Sequence, residues 1–148
     1  PGVGVGGHCI AVDPWFLVSD DSENTRLIKT ARDINDSKTL WALKKIKEKL
    51  ENIVEPKIAI FGLAYKPDID DLRESPSMRL AKILSKDYEV FGVEPNVSTN
   101  CEVELISIDK AFDECDFVVI CVPHKEFLSE EFLSKLNSKP HLSFCELK

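Results

Sequence analysis

The sequence predicts an α/β fold: a doubly wound, parallel sheet preceded by one long connecting helix. Three observations carry this. Phe117-Val118-Val119-Ile120-Cys121-Val122 is an unbroken apolar run, as expected for a strand buried on both faces. Lys57-Ile58-Ala59-Ile60-Phe61-Gly62 is a second such run, closed by glycine. Helical patterns alternate with these strands, which implies parallel pairing through crossover helices.

The elements follow in order. Residues 1–22 read as loop-rich with a short apolar patch. From Glu23 to Asn52, Leu27, Ile28, Ala31, Ile34, Leu40, Leu43, Ile46 and Leu50 recur at spacings of three and four, the period of a helix face. Ile53-Val54-Glu55-Pro56 ends that helix. A helix this long, ahead of a new unit, fits a connector or a dimerisation element. The division is thus 1–55 and 56–148. In the second unit Ser75 caps a helix from Pro76 to Lys86, with proline in its first turn. Tyr88 to Val93 reads as a strand and Ser107 to Cys115 as a helix. Lys125 to Leu136 reads as a helix and His141 to Leu147 as a last strand.

Composition narrows the function. The 148 residues are 43% hydrophobic, enough for a real core, and carry a formal charge of −7. No basic cluster is dense enough to neutralise phosphates, so a nucleic-acid partner is excluded. No apolar run is long enough to span a bilayer, and no signal peptide is visible. The five cysteines show neither C-x-x-C nor a histidine pairing that suggests a metal site. Cys115, Cys121 and Cys145 lie among apolar residues as core thiols, and Cys101 lies in a polar, exposed stretch. This usage fits a reducing, cytoplasmic compartment. The chain starts at Pro1 inside a motif and is expected to be part of a longer protein.

Two stretches carry chemistry. Gly2-Val3-Gly4-Val5-Gly6-Gly7-His8-Cys9 is a glycine-rich loop running into a cysteine, with Asp13 four residues on. Glycine lets backbone approach a ligand closely. Residues i and i+4 share a helix face, so Cys9 and Asp13 read as a nucleophile with an acid/base partner. Gly2, Gly4 and Gly7 also match G-x-G-x-x-G, with Asp20 and Asp21 downstream. That fingerprint needs a preceding strand and a following helix, and Pro14-Trp15-Phe16 is expected to interrupt the helix, so the dinucleotide reading is rejected. The second stretch is the long polar loop from Leu63 to Ser77, after the first strand. Ligands of such sheets bind beyond the carboxyl ends of the strands. Lys66, Arg73 and the helix N-terminus at Pro76 form a candidate anion site there. The competing reading is a loop whose Asp70, Asp71 and Arg73 pair with one another.

Together, Gly4 to Asp13 (G-x-G-G-x-C-x-x-x-D) and Gly62-Leu63-Ala64-Tyr65-Lys66-Pro67 through Arg73-Glu74-Ser75-Pro76-Ser77 resemble the UDP-glucose/GDP-mannose dehydrogenase family. Both motifs stand in the right order, joined by a long helix, and the resemblance covers essentially the whole chain. His8 to Phe16 is more similar to the UDP-N-acetylhexosamine branch than to the UDP-glucose branch. Trp15-Phe16, with Ala31-Arg32-Asp33-Ile34-Asn35-Asp36, is most similar to members acting on UDP-N-acetyl-D-mannosamine. The galactosamine-type members tend to have two tyrosines at the Trp15-Phe16 position.

The resemblance implies a set of roles. The second unit is a Rossmann-like UDP-binding domain. Cys9 attacks the C6 aldehyde of a UDP-sugar after a first hydride transfer to NAD, and a thioester is later hydrolysed to the uronate. Asp13 assists water activation or proton transfer. Gly6 lets the loop approach the sugar, Tyr65 and Lys66 contact the UDP-sugar, and Arg73 reaches the NAD. A homodimer through the long helix is implied. The family's N-terminal Rossmann domain, and the part of its central domain carrying the lysine and asparagine that assist the cysteine, have no counterpart here, so the chain alone is expected to be inactive.

Two other classes compete. A receiver-like regulatory domain would use Asp70-Asp71, but a receiver spreads its acids and lysine over several strand ends. A cysteine hydrolase would pair Cys9 with His8, His124 or His141. His8 points elsewhere if the chain is extended there.

Overall fold

A computed structural model describes residues 2–97, 101–139 and 143–146. The opening loop turns into helix α1 (Asp13–Asp20), and α2 (Arg26–Leu50) follows. The sheet unit then runs β1 (Lys57–Phe61), α3 (Pro76–Leu84), β2 (Glu89–Val93), α4 (Ile108–Glu114), β3 (Phe117–Ile120), a 3₁₀ turn (Lys125–Leu128), α5 (Glu130–Asn137) and β4 (Ser143–Glu146). The strands lie in the order β2-β1-β3-β4, and every pairing is parallel. The doubly wound reading therefore holds.

Strand periodicity decides how the sheet is covered. Successive side chains point to opposite faces. Ile58 and Ile60 of β1 pack in one core with α2 and α3 through Ala42, Ile46, Leu50, Leu80 and Leu84. Ala59 and Phe61 pack in a second core with Phe112, Phe127 and Phe132. In that second core Phe61 meets Phe127 edge-on at 5.1 Å and Phe132 at 5.5 Å between ring centres. Such pairs add about 0.5–1.5 kcal/mol beyond burial. They anchor the end of β1 to the chain that follows β3.

Four readings need correction. Pro14 does not interrupt a helix; it sits in the first turn of α1. First-turn N–H groups have no intrahelical partner, so proline loses nothing there. Residues 1–22 are accordingly less loop-like than their glycines suggest. The helix at Lys125 splits at Ser129, whose hydroxyl accepts from Phe132 N and caps α5 afresh. Cys101 is half-buried against the α2/α3 core. The last strand is described only over Ser143–Glu146, and His141 lies outside the described residues.

Helix α2 also departs from its pattern. Its C-terminal half buries Thr39, Ala42, Ile46 and Leu50. Leu27 and Ile34, by contrast, are 82% and 66% exposed. Amphipathic spacing marks a face that can be buried and does not say by what. Among the described residues no helix is long and apolar enough to cross a membrane, and no cluster of potential metal ligands occurs.

Candidate functional site

The site lies where the strand order reverses, at the carboxyl ends of β1 and β3. Open α/β sheets leave a crevice at that point. Gly62 ends β1 at φ +84°, and a Cβ there would stand 2.4 Å from the carbonyl oxygen of Val122. Only glycine lets the two strand ends approach this closely.

The loop that follows is held by side chains and backbone alike. Glu94, just beyond β2, accepts from Leu63 N at 2.7 Å and Ala64 N at 2.9 Å through Oε2. Tyr65 N donates to the Asp71 carbonyl at 3.1 Å. Asp68 N donates to His124 Nδ1 at 2.9 Å, and Lys125 N donates back to Asp68 Oδ1 at 3.0 Å. Ser75 caps α3 by accepting from Met78 N, and its hydroxyl donates to the Leu63 carbonyl at 2.6 Å. Between these ties Tyr65 is half-buried and Lys66 exposed. The Lys66 ammonium lies 5.5 Å from the centre of the Tyr65 ring. Both residues line a small cavity of about 150 Å³ with Gly2, Pro67, Val122 and Pro123.

The glycine-rich loop packs directly on this one. Gly7 N donates to the Arg73 carbonyl at 3.2 Å. A Cβ at Gly7 would stand 2.9 Å from the Tyr65 ring, and one at Gly6 would stand 2.3 Å from the Glu74 carbonyl oxygen. Gly6 and Gly7 thus serve close loop–loop packing. Part of the α3 N-terminus is also taken up by it: the Pro76 ring would meet a Cβ at Gly4 at 3.2 Å and one at Gly6 at 2.8 Å.

Past Gly7 the chain turns. The Cys9 carbonyl accepts from Val12 N and Asp13 N at 3.0 and 2.8 Å. Cys9 and Asp13 therefore stand one helical turn apart, both exposed. The turn corrects the expectation for His8. Its Nδ1 lies 2.9 Å from Cys9 Sγ, because the chain is not extended here.

Arg73 is engaged by Asp71, as the pairing reading anticipated. Its Nε and Nη2 contact both carboxylate oxygens at 2.6–3.0 Å. Hydrogen bonds from the Arg73 side chain and backbone hold the Asp71 carboxyl down at about 2. Asp71, first through its hydrogen bond, raises Arg73 above its ordinary value, with Tyr65 and Cys9 adding weaker attractions. The structure thus brings Gly6, His8, Cys9, Tyr65 and Arg73 to one place, with Lys66 at its edge and Asp13 a turn away.

Sequence reasoning missed Glu94, Asn96 and Asp68, and weighed His124 only as a base for Cys9. Instead His124 is fully buried and donates from Nε2 to Glu94 Oε2 at 3.0 Å. It is committed to the loop after β1. Burial pushes the Glu94 carboxyl up, but hydrogen bonds from His124, Ala64, Leu63 and Asn96 together outweigh this and hold it below its ordinary value. A buried donor left without such a partner costs about 1–3 kcal/mol. The available signal was position: Glu94 and His124 both follow apolar runs at strand ends.

This is the strand-end crevice of a doubly wound sheet, with a cysteine-bearing loop packed on the loop beside it. Residues 59–144 match the UDP-binding domain of the UDP-glucose/GDP-mannose dehydrogenase family, and residues 1–37 match its central domain. The chain belongs to that family. It is 44% identical over 98% of its length to a UDP-N-acetyl-D-mannosamine dehydrogenase of Campylobacter jejuni, of which it spans 36%. It is also 44% identical, over 86% of its length, to an NDP-N-acetyl-D-galactosaminuronic acid dehydrogenase of Ralstonia solanacearum, spanning 31% of that protein. The solved UDP-D-ManNAc dehydrogenase of Pyrococcus horikoshii superposes on the whole chain with a TM-score of 0.82 at 33% identity, the chain covering 36% of it. The chain thus spans about a third of the length of these relatives.

Proposed function

We propose that this chain supplies the cysteine loop and the UDP-binding unit, divided at residues 55/56, of an NAD-dependent UDP-sugar 6-dehydrogenase. The substrate is UDP-N-acetyl-D-mannosamine and the product its uronate. The observation that carries the reading is the seating of the Cys9 loop on the Tyr65–Arg73 loop, through Gly7 N and the Arg73 carbonyl. It supports the reading because the cysteine-bearing loop packs on the polar loop that follows β1.

Each residue then has a task. Lys66 meets the nucleotide phosphates as a point charge, and Tyr65 packs beside the ligand. Gly6 keeps the loop backbone free of a side chain. Cys9 adds as thiolate to the C6 aldehyde, giving a thiohemiacetal and, after oxidation, a thioester that water hydrolyses. Asp13, a turn away, takes or delivers a proton in hydrolysis. NAD, when bound, accepts the hydrides. Arg73, 64% exposed in its side chain and in the field of Cys9, is this chain's residue for meeting the cofactor.

Covering a third of its relatives, the chain by itself is proposed to bind UDP without turning over. The exposed Leu27 and Ile34 fit pairing of α2 in a homodimer. Five free thiols fit a reducing, cytoplasmic compartment. The similarity to the N-acetylgalactosaminuronic acid enzyme favours UDP-N-acetylgalactosamine as the second substrate reading.

Calorimetric titration with UDP and UDP-N-acetylmannosamine tests the nucleotide assignment, with Lys66→Ala as control. Saturable binding that the substitution clearly weakens supports it. Binding indifferent to Lys66 moves the site elsewhere.

A further inference from the structure

We propose that His124 is a positioning residue for nucleotide binding: paired with Glu94, it holds the Leu63–Asp68 span so that Lys66 and Tyr65 meet the ligand. This rests on the UDP-binding reading above and assigns His124 a task within that site.

The argument begins with three backbone N–H groups. Leu63, Ala64 and Asp68 leave the β1 end in irregular conformation, with Asp68 at φ +59°. Such groups need acceptors when they face the interior. Glu94 takes the first two, and His124 Nδ1 takes the third at 2.9 Å. Both side chains are 0% exposed. An apolar pair would fill that space without the cost of burying polar groups, but would offer these N–H groups nothing.

The protons are determined by the partners. Asp68 N–H can only donate, so Nδ1 is unprotonated and Nε2 carries the hydrogen that goes to Glu94 Oε2. His124 is therefore a neutral imidazole that ties two points of one loop, and Tyr65 and Lys66 lie between them. The groups facing it are few. Glu94 comes from the end of β2 and Asp68 Oδ1 lies 3.8 Å from Nδ1. Asn96 Nδ2 is 3.1 Å from Nδ1, and the Phe127 ring packs edge-on at 5.4 Å. The neighbouring Lys125 ammonium is turned to Glu126 at 3.9 Å.

Loss of the Nδ1 acceptor frees Asp68 N–H and leaves Asp68 held to this segment through Lys125 N. Ligand affinity is then expected to fall.

Calorimetry with UDP on the wild type and four variants tests this. His124→Gln can keep a donor toward Glu94 but presents no acceptor to Asp68 N–H, and should weaken binding about tenfold, the loss of one such bond. His124→Asn places an acceptor near the Nδ1 position and should stay within about threefold. Against Lys66→Ala, adding His124→Gln should cost less than it does in the wild type, because part of the histidine's effect runs through that lysine. Wild-type affinity for His124→Gln in a folded protein overturns the proposal, and so does an equal loss in the Lys66→Ala background. Exchange of the Asp68 amide gives a second readout: its protection should fall with the UDP affinity in His124→Gln and be kept in His124→Asn. Affinity that holds while protection is lost overturns the proposal. Failure of the wild type to bind UDP instead overturns the nucleotide reading itself.

Discussion

Gly7 donates its main-chain N–H to the carbonyl of Arg73 at 3.2 Å, joining segments 66 residues apart in the chain. The bond is made possible by two neighbours that carry no side chain. Gly6 and Gly7 lie against Glu74 and the Tyr65 ring so closely that any Cβ would displace them. The seating of the Cys9 loop on the polar loop after β1 follows from this packing.

Gly6→Ala is expected to separate the loops. A Cβ placed 2.3 Å from the Glu74 carbonyl oxygen meets rigid backbone. Overpacking of this kind costs roughly 2 kcal/mol, a fall of roughly 6 °C in Tm. Thermal melting checks it, and an unchanged Tm would contradict the close packing.

Gly62→Ala should be more damaging. It forces an L-residue to φ +84° and drives a Cβ against the Val122 backbone at the strand ends. The combined strain is roughly 3 kcal/mol or more. Urea denaturation should show a lower midpoint with an unchanged slope.

Thiol chemistry should sort the cysteines. Burial pushes Cys115 up to about 11 and Cys121 up to about 12. Near neutral pH both are protonated and inert. Iodoacetamide followed by peptide mapping should label exposed Cys9 first, and Cys115 and Cys121 only after unfolding. Early labelling of Cys121 would contradict the core assignment.

The Asp71 carboxyl should titrate at about 2, held down by Arg73. A depressed carboxylate contributes above its ordinary range, near 4, and the contribution is lost as pH falls toward the folded value. Asp71 is half-buried but its partner Arg73 is exposed, so the pair is screened and the effect on global stability is small. Carboxyl-carbon NMR titration should return Asp71 to the ordinary range in Arg73→Ala.

Ser75→Ala removes two bonds at once, the cap on Met78 N and the donation to the Leu63 carbonyl. A loss of roughly 1–2 kcal/mol is expected. Ser75→Thr should recover most of it in the same denaturation assay.

Much of the fold was legible because burial on both faces leaves continuous apolar runs, as at Lys57–Gly62 and Phe117–Val122. The Ser75-Pro76 start of α3 was legible from cap chemistry alone. Pro14 was misread because proline breaks a helix interior and opens a helix first turn, and the sequence does not mark which. Helix α2 showed a face at Leu27 and Ile34 but not its occupant, since amphipathic spacing carries no partner.

By itself the sequence determined the strand–helix alternation, the glycine loop ahead of Cys9 and the polar loop carrying Tyr65, Lys66 and Arg73. Local periodicity and cap chemistry encode such features within a few residues. Tertiary structure alone decided that these two loops touch and that His8 turns onto Cys9. It also decided that buried His124 and Glu94 hold the crevice. Apart from the His8–Cys9 turn, those contacts join residues tens of positions apart, and the backbone N–H groups that demand them become visible only once the chain has folded over them.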